Sequence, residues 1–167
     1  MANKLNVCKV SGNTSKDLIA RWQTDVLDIK PDYVSICIGF NDVWRHFDEP
    51  ASQHKHVSID EYRQNLQKMI ELTKDNVKGM IFLTPYYMEL NKDDLMRKKM
   101  DEYGSIVKEL ARQHNCLCID LQKEFNEYLK YRYSAYIMWD RVHPGWIGSM
   151  IIARAFLRAV GFDKKFI

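Results

Sequence analysis

The stretch Tyr33-Val34-Ser35-Ile36-Cys37-Ile38-Gly39-Phe40-Asn41-Asp42 decides how the rest of the chain is read. Tyr33 to Ile38 is apolar nearly throughout, the pattern of a strand buried on both faces. It ends at a glycine followed by Asn41 and Asp42, polar residues placed where the carboxyl end of a strand opens into a loop. On the C-terminal side, Gly79 to Thr84 and Cys116 to Asp120 are further short apolar runs, and helical periodicity fills the segments between them. Ile59 to Lys74 reads as a helix with Ser58 at its N-cap and Glu61 completing a capping box. Asp93 to Gln113 reads as a long charged helix, with Met96, Met100, Tyr103, Val107 and Leu110 as a core stripe. Strands alternating with helices predict an α/β fold with a parallel sheet flanked by helices. Open sheets of that kind bind ligands at the carboxyl ends of their strands.

Toward the N-terminus, Leu5 to Val10 is expected to be a short strand and Ser11-Gly12-Asn13-Thr14 a turn. Ser15 to Leu27 follows as a helix with Leu18, Ile19, Trp22 and Val26 on one face. Val43 to Ser58 reads as a loop containing Trp44, Phe47 and Pro50, and its His54 and His56 read as surface residues rather than ligands. Pro85-Tyr86-Tyr87-Met88-Glu89 follows a strand end, so its aromatics fit either a pocket wall or simple packing. Leu121 to Tyr131 is expected to be helical.

Trp139-Asp140-Arg141-Val142-His143-Pro144-Gly145 places a carboxylate three residues ahead of a histidine at the start of a helix expected over Pro144 to Val160. Proline suits the first helical position, which puts His143 at the N-cap. A helix N-terminus disfavours an imidazolium, so a histidine that accepts a proton there needs a carboxylate beside it. Asp140 can take the Nδ1 proton, fix the tautomer and leave Nε2 free as a general base. An Asp and a His that merely cap a helix remain the alternative reading.

Composition sets the outer bounds. The 167 residues, 46% of them hydrophobic, make one full core, and a single domain over 1–167 is expected. The net charge is +3, with 25 Lys and Arg dispersed among 22 Asp and Glu, which argues against a nucleic-acid surface. No run approaches the roughly 20 apolar residues of a membrane span, and none has signal-peptide character, so a cytoplasmic protein is expected. Cys8, Cys37, Cys116 and Cys118 all fall in expected strands and read as free thiols. Cys116-x-Cys118, with no second pair nearby, is a poor zinc site, so no metal is expected. No cofactor is expected either, since no Gly-rich phosphate loop follows the first strand, which also weakens a flavodoxin-like nucleotide binder.

Ser11-Gly12-Asn13-Thr14, Gly39-Phe40-Asn41-Asp42 and Asp140-Arg141-Val142-His143, in that order, resemble the later sequence blocks of the GDSL, or SGNH, hydrolase family. The stretches from Lys30 to Ile36, Thr84 to Glu89 and Trp139 to Pro144 look most like its bacterial xylan acetylesterase branch. That resemblance implies a three-layer α/β/α flavodoxin-like fold and hydrolysis of acetyl esters on small xylo-oligosaccharides. It implies His143 as base, Asp140 as its orienter, and an oxyanion hole formed by the Gly12 N–H and the Asn41 side chain. Trp44, Tyr86, Tyr87 and Trp139 suit stacking on sugar rings.

The family's nucleophile stands in a Gly-Asp-Ser block ahead of the glycine matched by Gly12. None of Ser11, Ser15, Ser35, Ser52, Ser58, Ser105, Ser134 or Ser149 has that context. The expectation is therefore a chain lacking the first strand and helix of the family, with Cys8-Lys9 a second departure just before the turn. A non-catalytic carbohydrate-binding or assembly protein derived from such a hydrolase is the alternative. Loss of an interior strand leaves edges that recruit another chain, so a homo-oligomer is expected.

Overall fold

The computed structural model describes residues 5–162. Three of the expected strands form, as β1 (Tyr33–Cys37), β2 (Gly79–Leu83) and β3 (Leu117–Ile119). They pair in parallel in the order β1-β2-β3, with Val34 opposite Met80 and Phe82 opposite Cys118. Between and after them run α1 (Ser15–Ala20), α2 (Phe40–Asp48), α3 (Ile59–Thr73), α4 (Leu95–Gln113), α5 (Leu121–Leu129) and α6 (Gly145–Ala159).

The two faces of the sheet are covered unequally. Val34, Ile36, Met80 and Phe82 pack under Tyr62, Leu66, Met69 and Ile70 of α3 and Met100, Tyr103, Val107 and Leu110 of α4. Each such side chain contributes about 1.5 to 3 kcal/mol on full burial, so this face dominates the stability. On the other face, Leu83 and Ile119 meet Leu121, Phe125 and Leu129 of α5 and Ala155 of α6. That second layer reaches β2 and β3 but not β1, whose Tyr33, Ser35 and Cys37 are exposed. β1 therefore alternates exposed and buried residues instead of being buried on both faces, and among the described residues its outer edge has no partner strand.

Four further expectations are corrected. Leu5 to Val10 is not a strand, and Leu5, Val7 and Val10 are 88%, 77% and 51% exposed. An apolar run becomes a strand only when a neighbouring edge takes up its N–H and C=O groups, and no described strand lies beside this one. The helix expected over Ser15 to Leu27 ends at Ala20 and resumes as a wide π turn over Gln23–Leu27. Trp22, at the junction, is buried and donates its indole N–H to Thr73 Oγ1 at 2.9 Å. The supposed loop from Val43 begins inside α2, whose Phe40, Val43, Trp44 and Phe47 have amphipathic helical spacing. Irregular chain with one 3-10 turn, Gln53–Lys55, occupies the rest. Finally, Pro144 rather than His143 occupies the cap position of α6.

Gly39 turns the chain from β1 into α2. Its φ is +112°, and a Cβ there would lie 2.4 Å from the Oη of buried Tyr62, whose hydroxyl donates to the Ile38 carbonyl. Only glycine lets α2 start directly at the strand end, which fixes Asn41 and Asp42 over the carboxyl edge of the sheet.

Candidate active site

Four segments converge at the carboxyl end of β1. They are the 8–13 segment, the β1 end with the start of α2, Tyr86 after β2, and the loop 142–144 before α6. The cleft between them has a volume of about 530 Å³ and is lined among others by Gly12, Asn41, Trp44, Tyr86 and His143.

Asp140 and His143 meet as the spacing predicts. The Asp140 Oδ2 is 2.8 Å from His143 Nδ1, and its Oδ1 accepts from the backbone N–H groups of Val142 and His143 at 2.9 and 3.0 Å. Arg141, at φ +61°, makes the tight turn that folds the carboxylate back onto the ring. Burial would raise the Asp140 carboxyl, but the hydrogen bonds from His143 and the two backbone groups outweigh it and hold it below the usual carboxylate range. It is therefore ionised near neutral pH and orients an Nδ1–H tautomer, which leaves Nε2 as the basic nitrogen. Trp44 stands edge-on to the imidazole with centroids 5.7 Å apart.

Gly12 has φ +80°, a conformation that only glycine adopts readily, and a Cβ there would come 3.4 Å from Arg45 Nη2. Asn41 Nδ2 donates to the Asn13 carbonyl at 2.9 Å, which spends one of its two N–H groups and leaves the other. A backbone N–H at Gly12 and an amide at Asn41 thus border one cleft with an oriented imidazole. Chemically, such a set withdraws a proton from a nucleophile and stabilises an oxyanion.

Residues 1–150 match the model of the GDSL-like lipase/acylhydrolase family. The chain belongs to this family. It is 53% identical over 154 residues to an acetylxylan esterase of Geobacillus stearothermophilus, covering 92% of this chain and 70% of that one. A solved structure of an acetylxylan esterase from the same organism superposes with a TM-score of 0.90 at 54% identity, over 92% of this chain and 70% of the other. An α/β hydrolase from the metagenome of Lake Arreo, Spain, gives a TM-score of 0.89 at 49% identity, over 91% and 70%. The fold is that of the SGNH hydrolases, and the chain is an esterase homologue of the GDSL type. Solved variants of the Geobacillus enzyme described as catalytic mutants replace a serine, an aspartate and a histidine. The last two are three positions apart, as Asp140 and His143 are, and the serine precedes the aspartate by more positions than precede Asp140 here.

Within the GDSL frame the expected aromatic residues separate. Trp44 and Tyr86 line the cleft, Tyr86 being stacked on Phe125 at 4.2 Å. Trp139 is 81% exposed and, like Tyr87, is not among the lining residues. Tyr87 is held from below, its backbone N–H and C=O both bonded to the Gln122 side chain. Among the described residues no serine hydroxyl bonds to His143 Nε2. Ser11 lines the cleft, whereas Ser15 is fully buried and bound to Asp42. Residues not singled out from the sequence also line the cleft. Arg21 is paired with Asp25, and Arg45 is paired with Asp48 and Glu49 and lies 5.6 Å from the Trp44 ring centre. The missed amphipathic period of α2 was the signal that would have placed Arg45 there.

Proposed function

We propose that this site belongs to a deacetylase of small acetylated xylo-oligosaccharides that works by a Ser-His-Asp mechanism whose serine block this chain does not contain, with His143 as base, Asp140 as its orienter, and Gly12 and Asn41 as oxyanion donors. The observation that carries the reading is the oriented Asp140–His143 pair facing the two donors across one cleft. In the first half-reaction, a serine Oγ attacks the acetyl carbonyl as His143 Nε2 takes its proton. The carbonyl oxygen gathers negative charge between the Gly12 N–H and the Asn41 amide, and collapse expels the sugar hydroxyl with the proton returned by His143. Water then repeats the sequence on the acetyl-serine, releasing acetate. Trp44 and Tyr86 offer apolar walls to the sugar.

The serine of this mechanism is not in the Gly-Asp-Ser context anywhere in the chain. The test is therefore made on a fusion in which the serine-bearing segment of the Geobacillus esterase is joined to the N-terminus of this chain. The fusion is expected to release acetate from acetylated xylo-oligosaccharides, and to lose that activity when the grafted serine becomes alanine. A folded fusion that binds but does not cleave would favour the carbohydrate-binding alternative instead.

The outer edge of β1, which has no partner strand among the described residues, supports a second proposal, that copies of this chain associate. Unpaired strand edges with exposed apolar neighbours are sticky, and Tyr33 is 62% exposed on this one. Sedimentation velocity is expected to show species larger than the 19.8 kDa chain. A stable monomer across the micromolar range would end the idea.

A further inference from the structure

Asp42 is a fully buried carboxylate for which the chemistry above has no use. No Lys, Arg or His pairs with it among the described residues. Instead, the Ser15 backbone N–H lies 3.0 Å from both of its oxygens and the Ser15 hydroxyl donates to Oδ1 at 2.5 Å. Asn65 of α3 donates to the Ser15 hydroxyl oxygen at 3.0 Å. A buried ion without a counter-ion is costly unless hydrogen bonds compensate it, so a network of this kind needs a reason.

The reason lies in which residues are neighbours along the chain. Asp42 directly follows Asn41, and Ser15 directly follows the turn that carries Gly12. Asn41 itself donates to the Asn13 carbonyl within that turn, and Thr14 is bonded to Asp17 on the far side of it. Apart from these contacts, and from the Leu18 N–H that bonds to the Thr14 carbonyl at 3.0 Å as α1 begins, the turn has among the described residues one long backbone bond of 3.4 Å from Asn13 N–H to the Val10 carbonyl. The turn and the start of α2 therefore keep their relative positions through Asp42–Ser15 on the buried side and Asn41–Asn13 on the cleft side.

We infer that Asp42, through Ser15 and Asn65, is the positioning residue that sets the separation of the Gly12 N–H from the Asn41 amide, so that both address one oxygen. This rests on the reading of Gly12 and Asn41 as oxyanion donors. A carboxylate suits the task because it is acceptor-only and can hold both Ser15 donors at once, whereas an amide presents a donor to one of them. Burial pushes the Asp42 carboxyl up to about 6, against the lowering effect of the bonds from Ser15, and the charge of Asp17 on α1 adds to the rise. The phenols of Tyr62 on α3 and Tyr103 on α4 also face it and stay neutral over this range. Protonation of Asp42 therefore falls within an accessible pH window, in which the charge-assisted bonds to Ser15 weaken and the turn is freed.

The test uses the chain as it stands and acetate as the probe, read from the Gly12 backbone amide and the Asn41 side-chain amide by NMR. At pH 7.5 acetate is expected to shift both signals, and Asp42→Asn is expected to weaken its binding roughly 5- to 30-fold. Without acetate, both signals are expected to move together with a midpoint near 6, in the parent and in His143→Ala but not in Asp42→Asn. Ser15→Ala, which keeps the carboxylate and its bond from the Ser15 backbone N–H but removes the hydroxyl's bonds to Asp42 and Asn65, is expected to weaken acetate binding by a smaller factor and serves if Asp42→Asn does not fold. Unchanged acetate affinity in both variants overturns the inference, as does the absence of the common step in the parent. If acetate moves neither signal in the parent while the step is present, the oxyanion reading fails and the positioning link stands.

Discussion

Offered an aryl acetate, this chain is expected to hydrolyse it no faster than its own His143→Ala variant. A base needs a nucleophile to deprotonate, and no serine hydroxyl among the described residues is bonded to His143 Nε2. Ser15, which directly follows the Gly12 turn, is fully buried and gives its proton to Asp42 rather than to the cleft. Water activated by His143 alone lacks the positioning that makes intramolecular attack fast, so the residual rate is indistinguishable from background. The check is a progress curve for both proteins at matched concentration. Turnover that a covalent serine reagent blocks, and that Ser11→Ala abolishes, would identify the cleft-lining Ser11 as a nucleophile and refute the expectation.

The second large effect belongs to the fusion that carries the grafted serine. There Asn41→Ala is expected to lower kcat by roughly 10²- to 10³-fold with little change in KM, the usual loss for one oxyanion donor. Asp140→Asn is expected to cost on the order of 10⁴-fold, because an amide in its place stabilises the wrong tautomer and Nε2 is no longer the basic nitrogen. The same carboxylate gives a sign for the pH dependence. Its pKa is held below the ordinary value, so its contribution to stability and orientation is present above about pH 4 and is lost as pH falls through the lowered folded-state value. Asp42 runs the other way. Its folded-state pKa is raised, so burying its charge opposes folding near neutrality, and that penalty is relieved as pH drops below about 6. Steady-state kinetics of the two variants decide the case, and near-parental kcat in both would remove these residues from the mechanism.

The sequence by itself determined the elements whose signals are local. The apolar runs at 33–38, 79–84 and 116–120 became β1, β2 and β3, and the periodic segments expected over Ile59 to Lys74 and Asp93 to Gln113 became α3 and α4, because side-chain spacing and capping are properties of a few consecutive residues. The Asp140–His143 pair was legible for the same reason, since three residues on one tight turn can hardly avoid each other. Tertiary structure alone decided what depends on partners distant in the chain. Leu5 to Val10 has strand composition but no strand beside it among the described residues, and Trp22 sits at the junction before a widened turn, where its indole reaches Thr73, 51 residues on. The aromatic residues judged alike in sequence parted, with Trp44 and Tyr86 turned into the cleft and Trp139 into solvent. Asp42 gave no sign of itself beyond following Asn41, because its bonds come from Ser15 at the start of α1, which is held in turn by Asn65 of α3. A strand edge, a buried charge and a cleft wall are defined by what packs against them, and no window of sequence contains that.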